Sequence, residues 1–139
     1  MTGMVGPTIA TVIPVLNEEG HIGKCLESLI AQDHPADDHI ILVLDGGSSD
    51  NSKSEIEQAI THSQQINGPK IELIDNPGRH VSSARNLALS LVPHSVTHLV
   101  ELIGHCIVPN DHISTRMKSW QKYELQAKEN NSTSLGALG

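Results

Sequence analysis

Apolar and polar positions along this chain follow two spacings. Four short stretches are rich in aliphatic or β-branched residues, and the continuous aliphatic run 40–44 is typical of a strand buried on both faces. After each of them, apolar residues recur at three- and four-residue intervals, which is typical of amphipathic helices. The pattern predicts strands over 8–15, 40–45, 70–75 and 98–103, and helices over about 21–32, 52–63, 82–91 and 111–128.

This alternation of strands and helices predicts the fold class. A β-α-β-α-β-α-β-α order is typical of an α/β fold, in which helices flank both faces of a mostly parallel, doubly wound sheet. We therefore predict one Rossmann-like domain over residues 1–139. The glycine- and leucine-containing stretch 135–139 is expected to begin a further strand.

The stretch 40–50 is the clearest of these segments. It reads Ile40-Ile41-Leu42-Val43-Leu44-Asp45-Gly46-Gly47-Ser48-Ser49-Asp50. In open α/β sheets, ligands bind just beyond the carboxyl ends of the strands. Asp45 is therefore expected at the mouth of a site, on a glycine loop that lets a ligand approach the backbone. Polar residues also follow the other strands, at 17–19, 76–79 and 104–105, so all four sets should meet at one edge.

Composition narrows the range of ligands. The net charge is −7, with 9 Lys and Arg against 16 Asp and Glu, which argues against a nucleic-acid partner. An anionic ligand would need a metal ion, an arginine or backbone N–H groups. The chain contains no GxGxxG, GxxxxGK[ST] or GxSxG motif, which disfavours common dinucleotide, P-loop and serine-hydrolase sites.

The cysteines and the hydropathy pattern indicate in which cellular compartment the chain is expected. Cys25 and Cys106 lack CxxC spacing and are predicted to be free thiols in a reducing environment. The N-terminus lacks the basic region of a signal peptide, and no apolar run approaches the roughly 20 residues of a membrane span. We expect a cytoplasmic chain without a transmembrane segment, with membrane association only as part of a longer protein.

Three segments resemble family 2 glycosyltransferases, which have the GT-A fold. They read Thr11-Val12-Ile13-Pro14-Val15-Leu16-Asn17-Glu18-Glu19, Val43-Leu44-Asp45-Gly46-Gly47-Ser48-Ser49-Asp50, and Asn76-Pro77-Gly78 with Ser83-Ala84-Arg85-Asn86. The DGGS and NPGR forms of these motifs are similar to the ExoA-like branch of succinoglycan biosynthesis. The resemblance covers about residues 8–115 and implies the N-terminal, nucleotide-sugar-binding half of a GT-A domain.

The resemblance also implies a nucleoside diphosphate sugar as donor substrate. The residues it predicts in the nucleotide site are Pro14, Asn17, Glu18, Asp45, Gly46, Gly47 and Arg85. Asp45 would accept a hydrogen bond from the N–H of a uracil-like base, since an ionised carboxylate only accepts. Arg85 and Arg79 are candidates for contacts with the diphosphate or with the acidic loops. The alternative for both arginines is a surface ion pair or a helix cap.

The metal motif departs from the family pattern. The family has Asp-x-Asp after the fourth strand, or Asp-x-His in the ExoA-like branch, whereas this chain has Ile103-Gly104-His105. His105 is the predicted metal ligand, and its imidazole suits Mn²⁺ better than Mg²⁺. Glu101 would lie about 6–7 Å further back and is not expected to replace the missing acid. The alternative is a loop histidine without metal; the remaining histidines are predicted to be surface or hydrogen-bonded residues.

Family members continue well beyond this length, and their later part carries the acceptor site and an acidic general base. For the longer protein, the resemblance implies inverting transfer of a sugar to a polysaccharide or lipid-linked glycan acceptor. The catalytic residues are not assigned within this chain. One alternative is a truncated or degenerate module that binds nucleotide without turnover. Another is a homodimer formed through an uncovered sheet edge and apolar face.

Overall fold

The computed structural model describes the backbone of residues 6–129 and the side chains up to residue 127. Strands and helices alternate throughout this span, within about two residues of the predicted bounds. The elements are β1 (Ile9–Val15), α1 (Ile22–Ile30), a 3₁₀ turn (Ala36–Asp38), β2 (His39–Asp45), α2 (Ser52–Gln65), β3 (Lys70–Asp75), α3 (Val81–Leu91), β4 (His98–Glu101) and α4 (His112–Glu129). The strand predicted at 135–139 lies outside the described residues.

The strands form one parallel sheet in the order β3-β2-β1-β4. Val15 pairs with Asp45, and Asp45 pairs with Asp75, so three of the strands end level with one another. The loops that follow these strands therefore start at the same edge. This confirms the α/β fold and the predicted convergence of the polar strand ends.

The fourth strand is shorter than predicted. β4 ends at Glu101, which pairs with Val12 in the middle of β1. The chain then enters a tight turn, in which the N–H of Cys106 donates to the carbonyl oxygen of Ile103 at 3.0 Å. Residues 102–103 were predicted to continue the strand. Leu102 instead packs partly buried against the core on the α1 side, whereas Ile103 is exposed in the turn.

Two apolar layers lie on opposite faces of the sheet. All residues of β2 are buried, as its continuous aliphatic run predicts. Alternate residues of a strand point to opposite faces, so one set packs on α1 and α2 and the other on α3. The first layer contains Ile13, Val15, Ile41, Val43, Ile22, Cys25, Leu26, Leu29, Ile56 and Ala59. The second contains Ala10, Val12, Ile40, Leu42, Leu44, Ala84 and Ala88.

The last helix covers the β4 side of the sheet. Ile113 of α4 is fully buried against Ile9 and Val100, and Met117 packs beside them. Trp120 lies edge-to-face on the His98 ring, with centroids 4.9 Å apart. Among residues 6–129, no helix has the combined length and hydropathy of a bilayer span.

A buried polar cluster lies at the opposite edge of the sheet from the strand carboxyl ends. His39 is 3% exposed, and a hydrogen bond of 2.7 Å joins its Nε2 to the hydroxyl of Thr11. Burial, as the largest effect, and the neighbouring His34 and His112 together lower the pKa of His39 to about 4, against the opposite effect of Asp38. His39 is therefore neutral in the folded protein near pH 7, as a hydrogen-bonded core histidine.

The low pKa of His39 predicts a loss of stability in acid. Its ordinary pKa is 6.5 and its folded pKa is about 4, so between these values the unfolded chain binds a proton that the folded chain does not. The contribution of His39 to the free energy of unfolding is therefore fully present above pH 6.5. It falls as the pH is lowered toward 4, by up to about 3 kcal/mol. Urea unfolding at several pH values measures this slope.

The His39→Gln variant should lose most of that slope, leaving a smaller part from His112, whose pKa burial also lowers. The exposed His94 supplies the matched control, and His94→Gln should keep the wild-type slope. An unchanged slope in His39→Gln would contradict the assignment.

Candidate functional site

The loops after β1 and β2 are joined by hydrogen bonds at the carboxyl edge of the sheet. Asn17 has a φ of 53°, which turns the first loop toward the second. Its backbone N–H donates to the hydroxyl of Ser48 at 2.9 Å, and its side-chain oxygen accepts from the N–H of Ser49 at 2.8 Å. The amide oxygen of Asn17 thus joins the two loops, and its predicted position beside the nucleotide stays a prediction.

The same pairing continues along both loops into their helices. The N–H of Glu18 donates to the hydroxyl of Ser52 at 2.7 Å. The Glu19 carboxylate accepts from the N–H of Asn51 at 2.8 Å, and the Glu55 carboxylate accepts from the N–H of Gly20 at 2.6 Å. Because each bond links one loop to the other, the two loops form a single wall of the site.

Asp45 lies underneath this wall. Its side chain has no exposed surface, and Nζ of Lys53 lies 3.7 Å from one carboxylate oxygen. The carboxylate accepts from the N–H groups of Gly47 and Ser48 at about 3.2 Å and from the Ser48 hydroxyl. Its oxygens therefore hold the loop from within. A direct contact with a nucleobase requires at least the Ser48 side chain to move away from Asp45, and that contact stays a prediction.

The two glycines after Asp45 serve the loop itself. Gly46 is buried, and a Cβ there would lie 3.3 Å from the backbone of Arg79, so a side chain would separate the two loops. Gly47 has a φ of 99°, a conformation that favours glycine. The packing at Gly46 and the backbone angle at Gly47 are sufficient reasons for glycine at these positions, and neither reason requires a bound ligand. Both glycines lie next to Arg79, in the loop that borders the cleft.

A cleft of about 520 Å³ opens beside this wall, between the ends of β1 and β4 and the loop before α3. Clefts of this size are typical of small-molecule sites. Its lining residues are Pro14, Val15, Leu16, Glu18, Asn76, Arg79, His80, Val81, Glu101, Leu102 and Ile103. Of the residues predicted in the nucleotide site, Pro14 and Glu18 line this cleft. The others, namely Asn17, Asp45, Gly46, Gly47 and Arg85, do not.

The two candidate arginines differ in their surroundings. Nε and Nη2 of Arg85 lie 3.1 and 3.0 Å from the Glu101 carboxylate, so Arg85 forms the surface ion pair that was its alternative. Arg79 has a φ of 63° in the turn before α3, and its Nη1 would lie 3.8 Å from a Cβ on Gly47. Among the described residues, no carboxylate lies within the 4.0 Å of an ion pair with Arg79. Arg79 therefore borders the cleft with its charge available.

Glu18 and His105 approach each other at the rim of the cleft. Oε1 of Glu18 lies 3.4 Å from Nδ1 of His105, whose side chain is 55% exposed. The loop reaches Glu18 through the buried Gly104, where a Cβ would lie 3.1 Å from Cγ of Glu18. Sequence reasoning placed Glu18 beside the nucleotide and missed this pairing, because only folding brings the loop after β4 to the loop after β1.

These two side chains supply an incomplete metal-binding set. A carboxylate and a neutral imidazole suit Mn²⁺. Within residues 6–129, no group of three or more His, Cys, Asp or Glu side chains has a metal-binding arrangement. The nearby carboxylate of Glu101 forms an ion pair with Arg85 and does not add a third donor to this pair. The donors present therefore fit a metal ion that takes its remaining ligands from water or from a bound diphosphate, as divalent ions commonly do.

The architecture is that of the GT-A glycosyltransferases. The mannosyltransferase PcManGT from Pyrobaculum calidifontis, solved with GDP-Man and Mn²⁺, superposes with a TM-score of 0.70 at 21% identity, over 83% of this chain and 32% of that one. S. aureus TarS 1–349, solved with UDP-GlcNAc, gives a TM-score of 0.64 at 18% identity over 85% and 32%. At these identities the similarity shows the fold alone.

The sequence profile of glycosyl transferase family 2 matches residues 10–127, and the chain belongs to this family. It is 30% identical over 101 residues to the succinoglycan biosynthesis protein ExoA of Rhizobium meliloti, which confirms the expected resemblance to that protein. The match covers 73% of this chain and 29% of ExoA. The chain thus spans less than a third of the length of this relative.

The buried position of Asp45 predicts that its carboxylate contributes far more to the free energy of unfolding than the exposed carboxylate of Asp75, which pairs with it across the sheet. Asp45→Ala leaves the N–H groups of Gly47 and Ser48 without their acceptor and should lower the free energy of unfolding by about 3 kcal/mol. Asp75→Ala removes a carboxylate that is 88% exposed and 4.0 Å from the same Lys53, and should cost less than about 1 kcal/mol. Urea unfolding of both variants measures the difference, and equal losses would contradict the role of Asp45.

Proposed function

We propose that this domain binds the nucleoside diphosphate part of a nucleotide sugar in the cleft beside the joined loops. The observation that carries the proposal is the position of Arg79, an exposed cation without a carboxylate partner among the described residues, at a cleft on the carboxyl edge of the sheet. In a chain of net charge −7, such a cation marks where an anionic ligand is favoured. The guanidinium fork matches the oxygens of a phosphate group.

The cleft provides surfaces for the other parts of a nucleotide. Pro14, Val15 and Leu16 supply an apolar floor, and Val81 faces them from the start of α3. Asn76 is 4% exposed and its side chain is held by the carbonyl oxygen of His80 and the hydroxyl of Ser83. This network fixes the turn from which the Arg79 side chain projects, so the backbone at that point is positioned before a ligand arrives.

For Asp45 we propose a positioning role, with base recognition in addition if the Ser48 side chain moves away. The buried carboxylate sets the shape of the glycine loop through the N–H groups of Gly47 and Ser48. A base N–H entering there would replace the Ser48 hydroxyl as the donor to Asp45. In the predicted contact, the N–H of a uracil-like base would thus take the place of the Ser48 hydroxyl as hydrogen-bond donor to Asp45.

We propose that Glu18 and His105 hold a divalent ion, with Mn²⁺ preferred over Mg²⁺, when the donor is bound. A bound metal supplies positive charge next to the departing nucleoside diphosphate. Glu18 contributes a carboxylate oxygen that is partly buried, and His105 contributes Nδ1 from the loop after β4. Arg79 lines the same cleft and would share the neutralisation of the diphosphate.

The activity of the longer protein is also a proposal. A relative in Methanococcus voltae, 42% identical over 50 residues, is named for transfer of a sugar to a dolichyl-linked acceptor, and ExoA is named for succinoglycan biosynthesis. These names support transfer to a lipid-linked or polysaccharide acceptor. We propose inversion at the transferred sugar from the family resemblance alone. The general base and the acceptor site would lie outside this chain, and homodimerisation stays a prediction.

A second candidate is a nucleotide-binding module without turnover. Ile103 occupies the position of the first metal-binding acid and is 57% exposed, so no carboxylate stands at that point. Donor hydrolysis and nucleotide binding separate the two candidates. Binding of UDP without donor hydrolysis in Mn²⁺ favours the module, whereas hydrolysis favours the enzyme.

The contrast between the two arginines predicts their effects on nucleotide binding. Arg79→Ala should weaken the binding of UDP by about tenfold or more, since a charge-assisted hydrogen bond contributes about 1.5–3 kcal/mol. Arg85→Ala, the matched control, removes a cation of similar exposure that is engaged by Glu101, and should change the Kd by less than about threefold. Titration calorimetry measures both values. Equal weakening by the two variants would show that Arg79 makes no specific contact.

The proposed metal pair predicts how Mn²⁺ affects UDP binding. Mn²⁺ should tighten UDP binding to the wild-type protein, and this gain should disappear in His105→Ala and in Glu18→Gln. His94→Ala, a change at an exposed histidine away from the cleft, should keep it. Electron paramagnetic resonance of bound Mn²⁺ provides an independent readout. An undiminished gain in both variants would rule out Glu18 and His105 as the ligands.

A further inference from the structure

The fold brings the two cysteines of this chain to one carbonyl oxygen. Cys25 lies on α1, and its thiol donates to the carbonyl oxygen of Ile103 with a distance of 3.9 Å. Cys106 closes the turn after β4, and its N–H donates to the same oxygen at 3.0 Å. The sulfur of Cys25 and the backbone nitrogen of Cys106 are therefore neighbours, although their elements are far apart along the chain.

The electrostatics of Cys25 agree with this arrangement. Burial is the largest of the effects that together raise the pKa of its thiol to about 12. The N–H of Cys106 acts in the opposite direction, because it donates toward the Cys25 sulfur. This effect agrees with the position of the Cys106 backbone next to the Cys25 sulfur.

The two thiols differ in access. Cys25 has no exposed surface and packs in the apolar layer beneath α1, whereas Cys106 is partly exposed. A disulfide-containing molecule in solution can reach Cys106 first, and only Cys106 can then present a sulfur to Cys25. This is the arrangement of an outer attacking thiol with an inner resolving thiol.

We propose that Cys25 and Cys106 form a dithiol that closes to a disulfide by exchange with a low-molecular-weight disulfide such as oxidised glutathione. The Cys106 thiolate attacks one glutathione sulfur, the glutathione S–S bond breaks, and one glutathione leaves as a thiolate. The Cys25 sulfur then attacks the Cys106 sulfur, the mixed disulfide breaks, and the second glutathione leaves with the proton from Cys25. Two protein thiols are oxidised and one glutathione disulfide is reduced to two thiols.

The link would tie the turn after β4 to α1. That turn carries Ile103, which lines the cleft, and His105, which faces Glu18. A bond between α1 and this turn also closes a long loop of the chain, and such a closure restricts the unfolded chain more than the folded one. The proposal does not depend on nucleotide binding.

Exchange with glutathione disulfide, followed by mass analysis, tests the proposal on the full chain. The reduced wild-type protein should lose two hydrogens and both titratable thiols, and a tryptic digest should contain one disulfide-linked peptide pair with Cys25 and Cys106. Its Tm should rise, and added dithiothreitol should reverse the change. The Cys25→Ser variant should stop at a single glutathione adduct, and Cys106→Ser should remain unmodified.

Two results would overturn the proposal. One is a wild-type protein that keeps both thiols or stops at the same glutathione adduct as Cys25→Ser. The other is a linked peptide pair from two different chains, identified by its loss on dilution. The peptide map of the wild-type protein decides the question even if Cys25→Ser fails to fold, since it needs no variant.

Discussion

The buried carboxylate of Asp45 is the interaction on which the ligand-facing edge of this protein depends. It ends a strand that is buried along its whole length, and it accepts hydrogen bonds from the glycine loop that follows. A charge without exposed surface is costly unless it is paired and hydrogen-bonded, and Lys53 with the loop N–H groups meets that requirement. The loop shape in turn places Ser48 and Ser49 where they bind the Asn17 loop.

The other parts of the candidate site are held in place by contacts with these two joined loops. The joined loops start α1 and α2, with Glu55 holding the amide groups of Gly20 and Gly23 at the beginning of α1. The buried Gly46 lets the turn before α3 approach closely, and Arg79 of that turn lines the cleft. The metal-binding pair depends on the same wall, because Glu18 belongs to the first loop and meets His105 across Gly104.

The first three strand ends of this chain follow the pattern of glycosyl transferase family 2, whereas the fourth departs from it. The parts that recognise a nucleotide sugar in our proposal lie on the first three strand ends, where the motifs are intact. The fourth strand end carries Ile103 in place of an acid, and its neighbouring carboxylate, Glu101, is engaged by Arg85. In our proposal, this chain is therefore better suited to binding the donor than to stabilising a departing diphosphate.

Much of this could be predicted from the sequence by itself. The alternation of aliphatic runs with helical spacings determined the α/β fold and nearly all element bounds, since burial on a sheet requires that pattern. Because parallel strands end at a common edge, the motifs at 17–19, 45–50 and 76–79 predicted which edge of the sheet carries the candidate site. The tertiary structure alone decided which side chains are available there. Asp45 faces its own loop, Arg85 pairs with Glu101 while Arg79 does not, Glu18 meets His105, and Cys25 meets Cys106. Each of these depends on contacts between residues distant in sequence, and side-chain partners of that kind leave no periodic signal in a chain.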